Sequence, residues 1–179
     1  MTDAFEVTSA HVMASVANTP IYVNGSFVTT IDAGETFVLE NVEQGDVLRT
    51  FDAATESGGD GVQVTLVTGG EDSGYETRWY SLQPREDWSN DYYTPVFTGE
   101  NDGPFDFSSG FGPTQVWLYN PNDGELTVTM ETADGGSTTV DVPAGGSALS
   151  PLIPDDSGAR FFSNDGRDFF AVTQTDSTG

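Results

Sequence analysis

The chain has 179 residues, 29 acidic side chains against 5 basic ones, and a formal net charge of −24; a surface of that sign repels nucleic acid and anionic membrane, which sets both aside as partners. It contains no cysteine, which excludes disulfide staples, thiolate metal sites and thiol catalysis. An apolar fraction of 36%, with 12 Phe, 6 Tyr and 3 Trp, is enough for a buried core and argues against global disorder.

Taken in order, the first segment, AFEVTSAHVMASVANTPIYVNG, predicts two strands, with Ile21-Tyr22-Val23 the clearer of them. Asn24-Gly25 predicts a hairpin, because both central positions of a type I′ turn need positive φ. The same Asn24-Gly25-Ser26 is an N-glycosylation sequon, so Asn24 is a candidate glycan site. Strands follow in SFVTTIDAGETFVLENV and DVLRTFDA, and VQVTLVTG alternates cleanly. No apolar repeat at helical spacing occurs before residue 75, and Pro84 opens a candidate helical turn. The stretch 75–96, YETRWYSLQPREDWSNDYYTPV, concentrates Trp and Tyr, and a Phe-rich loop follows it. The last third predicts short strands in QVWLYN, ELTVTMET, STTVDV, SALSPLI, GARFFSN and DFFAVTQT, parted by Gly-, Asn- and Asp-rich turns. Short strands at this spacing indicate a sandwich or small barrel.

The two flanks of the aromatic stretch overlay. AGETFVLENVEQGDVLRTF, from Ala33, aligns without a gap on AGGSALSPLIPDDSGARFF, from Ala144, which sets Arg49 on Arg160 and Phe51 on Phe162. Upstream, Thr29-Thr30-Ile31-Asp32 resembles Thr138-Thr139-Val140-Asp141, and Tyr22-Val23-Asn24 resembles Leu118-Tyr119-Asn120. Downstream, VQVTLVTG corresponds to FFAVTQTD. The expectation is an all-β, antiparallel β-sandwich of jelly-roll type. It is one compact unit over 1–179, with similar halves at about 5–70 and 114–177 joined by an aromatic and Phe-rich connector at 75–113. The connector is expected to pack between the halves or onto one of them.

The order of these features resembles the bacterial and archaeal relatives of the IgGFc-binding-protein N-terminal domain. The resemblance rests on VQVTLVTG, on Tyr80-Ser81-Leu82-Gln83-Pro84 with Trp88 and Tyr92-Tyr93, and on TQVWLYNP and GARFFSNDGRDFFAV. It implies an extracellular, all-β module of a large surface or secreted protein that binds or builds and does not catalyse. The cysteines usual in the animal proteins are absent, and antibody binding does not carry over.

The acidity has three readings: adaptation to high salt, where charges are screened within roughly 3 Å at about 1 M; binding of divalent cations; and ordinary extracellular acidity. All five basic residues are Arg, and the lack of Lys favours the first. No apolar run reaches the roughly 18 residues of a membrane helix. Met1-Thr2-Asp3 lacks the basic start and apolar core of a secretory leader, which suits either an intracellular chain or a segment of a longer secreted one. The linker-like end 175–179 favours the second.

Candidate chemistry is sparse. His11 is the sole histidine, in ordinary strand sequence with no G-x-S-x-G elbow, so no nucleophilic triad is expected. Carboxylates are so abundant that no pair stands out for glycoside hydrolysis. No cofactor is required, but calcium is a candidate: Asp155, Asp156, Asn164, Asp165 and Asp168 are oxygen donors close in sequence, although Asn-Asp-Gly also simply turns the chain. Trp79, Trp88, Tyr92 and Tyr93 are either a packing group or a surface for a glycan or peptide. Arg49 and Arg160 are expected in structural ion pairs. The functional expectation is a non-catalytic extracellular structural or adhesive module that associates with itself or with other surface modules; the alternative is a glycan- or peptide-binding module using 75–96.

Overall fold

The computed structural model describes residues 7–52, 57–58, 61–69, 77–95, 114–153 and 157–175. The chain is all-β and its strand pairings are antiparallel. It divides into two compact units, Met1–Pro84 and Arg85–Gly179. The division falls inside the aromatic stretch that had been expected to join halves of one unit. Each side of that division supplies a strand to the unit it adjoins, and residues 96–113 of the expected connector lie outside the described residues.

In the first unit the strands are β1 (Val7–Ala14), β2 (Thr19–Val23), β3 (Ser26–Ile31), β4 (Thr36–Glu40), β5 (Leu48–Arg49), β6 (Phe51–Asp52), β7 (Ser57–Gly58), β8 (Val62–Gly69) and β9 (Arg78–Leu82). They form sheets β4-β1-β8-β9 and β3-β2-β5, with β6 paired to β7. The second unit opens on a 3-10 turn at Arg85–Asp87, where the Pro84 signal foretold a helical turn. Its strands are β10 (Asp91–Pro95), β11 (Thr114–Tyr119), β12 (Leu126–Thr132), β13 (Ser137–Val142), β14 (Ser147–Leu149), β15 (Gly158–Ser163) and β16 (Phe170–Thr175). They form sheets β10-β15-β12-β13 and β14-β11-β16.

The strand order of one unit repeats in the other. β4-β1-β8 corresponds to β14-β11-β16, and β3-β2-β5 to β13-β12-β15. β3 and β13 share the same run of exposure, with only the last residue, Ile31 or Val142, buried. The loop after each is built alike: Glu35 N–H donates to Asp32 O at 2.9 Å and Gly146 N–H to Pro143 O at 3.0 Å. Gly34 and Gly145 stand at φ +77° and +61°, the left-handed region where glycine carries no Cβ penalty.

Register corrects two of the sequence overlays. Ile31 falls on Val142, two residues from the Val140 that Thr-Thr-Ile-Asp suggested, because Ile31 and Val142 pair with Thr19 and Leu126 at the starts of β2 and β12. Leu118-Tyr119-Asn120 falls on Val12-Met13-Ala14 and not on Tyr22-Val23-Asn24. Leu118 pairs with Ala148 as Val12 pairs with Phe37. The two cross-strand bonds Val42 N to Thr8 O and Ile153 N to Thr114 O follow the same match.

Each core lies between the two sheets of its unit. In the second it joins Val116 and Leu118 of one sheet to Leu126, Val128, Met130, Val142 and Phe161 of the other, with Phe169 and Ile153 beside them. In the first it is smaller: Val12, Ala14, Ile21 and Ile31, with Phe37, Leu48, Val62 and Val64 partly buried around them. A Leu, Val, Ile or Phe fully removed from water contributes about 1.5–3 kcal/mol, so among the described residues the second unit has the larger apolar term.

Candidate functional site

The aromatic stretch does not form one surface. Along β1, Ala10, Val12 and Ala14 are buried, so His11 and Met13 point out of the opposite face of their sheet. β9 pairs Trp79 with Val67 of β8, and Val67 pairs with Ser9 of β1. Trp79 therefore shares the outer face with His11, Met13 and Val38. It is 65% exposed, and its ring meets the His11 imidazole at 6.0 Å between centroids with the planes tilted by 44°. Sequence reading treated His11 as an ordinary strand residue; its pairing with Trp79 depends on β1 and β9 flanking β8.

In the second unit the other three aromatics have three different roles. Tyr92 faces the core: its ring lies 5.0 Å from that of Phe169, and its hydroxyl donates to Phe169 O at 2.7 Å while accepting from Ser89 N at 3.0 Å. Burial pushes the phenol pKa up. Trp88 is half-buried, edge-on to Tyr119 at 6.0 Å and tilted against Phe170 at 5.1 Å. Tyr93 is 72% exposed on the outer face of β10, opposite Arg160 of β15.

Arg160 is the centre of the charged cluster on that face. Its Nε and Nη2 donate to the two carboxylate oxygens of Asp91 at 3.0 and 2.9 Å, and Nη1 lies 3.6 Å from Glu131. Its guanidinium also stands over Phe162 at 4.3 Å and Tyr93 at 5.7 Å. Both carboxylates are placed by register, since Asp91 pairs with Phe162 and Glu131 with Arg160 itself.

Arg49 keeps half of this arrangement. Its guanidinium lies over Phe51 at 5.9 Å, as Arg160 lies over Phe162. The positions that hold the carboxylates differ: Tyr22 stands opposite Arg49, and Gly58 opposite Phe51. The ion pair expected at both arginines is present at Arg160. At Arg49, stacking is the contact shown among the described residues.

The fork of hydrogen bonds from Arg160 holds the Asp91 carboxyl below its ordinary range, against a smaller opposing effect of burial. A carboxyl depressed in the fold adds stability at neutral pH that is lost as pH falls below about 3.9 and through the folded value. Asp91→Asn is therefore expected to be less stable than the parent at neutral pH and to lose less on acidification. Urea melts from neutral to strongly acidic pH check this; parallel pH profiles would show that the pair contributes nothing.

Of the candidate calcium ligands, Asp155 and Asp156 lie outside the described residues. Asn164, Asp165 and Asp168 each make a protein hydrogen bond, Asp168 through its backbone carbonyl. Asp165 accepts from Arg167 Nε at 2.8 Å and from its N–H at 3.1 Å. Arg167 also donates to Gly124 O at 3.1 Å and Glu125 O at 2.8 Å. The guanidinium thus collects one carboxylate and two carbonyls. Asn164 Nδ2 donates to Thr129 Oγ1 at 3.0 Å, and the Asp168 carbonyl accepts from Asn122. Among the described residues no group of three or more His, Cys, Asp or Glu converges. A second oxygen-rich run in the sequence, Asn101-Asp102-Gly103 with Asp106, lies outside the described residues.

Asn24 and Gly25 have φ of 51° and 80°, the I′ geometry their sequence foretold. Asn24 is exposed, but its amide is engaged: Nδ2 donates to Asp46 at 2.7 Å and Oδ1 accepts from Val47 N–H at 2.9 Å. A glycan on Nδ2 would compete with the first of these bonds.

Among the described residues no helix is long and apolar enough to cross a membrane. No protein-family model, curated protein or solved structure matches this chain.

Proposed function

We propose that this chain is a non-catalytic structural or adhesive module of an extracellular surface protein or assembly. The observation that carries the reading is the tandem repeat of one strand order in two compact units, the organisation of proteins that build extended surfaces by repetition. The resemblance to surface-protein domains drawn above points the same way. In this reading the charge of −24 keeps the units soluble in high salt, where self-repulsion is screened.

The reading predicts association that grows with protein concentration and with salt, and melting that rises with salt in the absence of divalent ions. Sedimentation and thermal melts at low and at molar NaCl check both. A chain that stays monomeric throughout, with melting indifferent to salt, overturns it.

A second reading is favoured by one observation, the exposure of Trp79 beside His11. An exposed Trp on a flat strand face suits stacking on a sugar ring or on an apolar peptide side chain. This reading expects a monomer whose Trp emission changes with a glycan or peptide, and a response removed by Trp79→Ala.

A further inference from the structure

The two units can be compared edge by edge. β3 and β13 are both edge strands, and so are β4 and β14. The edge at β6 is covered by β7, where Phe51 pairs with Gly58, and the matching edge of β15 is covered by β10, where Phe162 pairs with Asp91. One position breaks the match. β8 is covered by β9 from Val64 to Thr68, whereas its counterpart β16 ends its sheet among the described residues.

The direction of the β16 backbone can be read from its neighbours. Val116 and Thr114 of β11 accept bonds from the β14 side, at Ser150 and Ile153, so the odd-numbered residues of β11 turn their backbone to β16. Their partners there are Phe170, Val172 and Gln174. Ala171, Thr173 and Thr175 therefore turn their N–H and C=O groups to the outer edge. Phe169, at the head of the same row, already donates outward to Ser89 O at 3.0 Å. The row is equivalent to Val64, Leu66 and Thr68, the residues that β9 occupies.

Among the described residues the β16 edge also lacks the charges and prolines that commonly deter pairing. FAVTQT carries no charge and no proline, and its pairing with β11 runs without a bulge. In a chain of net charge −24, that neutrality matters most for a like-charged partner, because a second copy meets no carboxylate on this strand.

We infer that β16 is a docking edge for a second copy of this chain, pairing antiparallel with its own counterpart about a two-fold axis at Thr173. Centred there, Thr173 meets Thr173 and Ala171 meets Thr175 of the partner, so every outward group from 171 to 175 is used. The contact is isologous and closes as a dimer. It rests on the self-associating reading proposed above and names the strand that performs it.

The test uses the full chain at molar salt. Thr173→Pro removes the N–H at the centre of the outer row without touching the ladder to β11; Thr173→Val keeps that N–H while losing the hydroxyl contact with Thr94. In sedimentation, the parent and Thr173→Val are expected to dimerise and Thr173→Pro to lose the dimer. Thr173→Cys supplies a check that does not depend on proline being tolerated. The chain has no other cysteine, and residues paired directly across such a ladder stand about 5.5 Å apart at Cα, within disulfide reach. Oxidation is expected to yield a covalent dimer, and Val23→Cys a monomer. Association that persists in Thr173→Pro with no covalent dimer from Thr173→Cys overturns the edge while leaving the self-associating reading in place. A parent that is monomeric at every concentration overturns both, and a heterologous strand that binds only monomer and is blocked by Thr173→Pro overturns the second copy as occupant.

Discussion

Phe169→Ala is expected to destabilise the second unit by about 3–5 kcal/mol, the range for removing a buried aromatic ring and leaving a cavity. Phe169 is fully buried and sits where three things meet. Its ring packs on Tyr92, its carbonyl accepts the Tyr92 hydroxyl, and its N–H donates to Ser89. The substitution leaves both backbone bonds available, so the loss it measures is packing. The Tyr92 ring loses the surface that fixes it, and a void in a close-packed core does not collapse fully. The corresponding residue of the first unit is Val62, partly buried beside a smaller core, where Val62→Ala is expected to cost less. Urea titrations of the two variants provide the comparison. Equal losses would show that the two cores carry similar weight despite their difference in size.

Asn120→Ala is expected to cost about 2–4 kcal/mol, from buried polar groups left without partners at about 1–3 kcal/mol each. Asn120 has no exposed surface. Its Nδ2 lies 2.9, 3.1 and 3.2 Å from the carbonyls of Gly124, Val142 and Pro143, and its Oδ1 accepts from the Asn122 N–H and side-chain amide at 3.0 and 2.8 Å. One side chain thus ties the end of β11 to the turn before β12 and to the end of β13. Alanine is what the first unit has at the matching position, Ala14, where the backbone alone bonds to Gly34 and Glu35. The repeat therefore makes Asn120→Ala look permissible, and the hydrogen bonds make it costly. Asn120→Asp discriminates further, because it keeps the volume and one acceptor while setting a carboxylate among three carbonyls. It is expected to be at least as damaging. Denaturant midpoints decide, and an alanine variant within about 0.5 kcal/mol of the parent, the scale of an ordinary surface change, would show that water replaces the side chain.

Strands and turns were legible because their causes are local. Asn24-Gly25 turns as a hairpin since two adjacent residues adopt positive φ, and VQVTLVTG pairs along its whole length as β8. The overlay from Ala33 onto Ala144 placed Arg49 on Arg160, and both stack on the Phe two residues on. The overlay went astray at Thr29–Asp32 and at Tyr22–Asn24. The first slipped by two residues along matching strands, and the second set residues of β2 on residues of β11; short runs of Thr, Val, Tyr and Asn recur in many strands and do not mark which strand or register they belong to.

By itself, then, the sequence determined the all-β class, the turn positions, the acidic surface and the paired Arg-Phe strands, all of which follow from residue type within a few positions along the chain. Tertiary structure alone decided which charges and rings meet. Asp91 reaches Arg160 across 69 positions and Tyr92 reaches Phe169 across 77, separations over which no periodicity carries information. It also decided that Arg167 reaches Asp165 and the carbonyls of Gly124 and Glu125 beside the 164–168 turn, and that Trp79 and Tyr93 leave the aromatic stretch for different units. The physical reason is the same in each case: a strand fixes which way its side chains alternate, but only the choice of neighbouring strand fixes what they face.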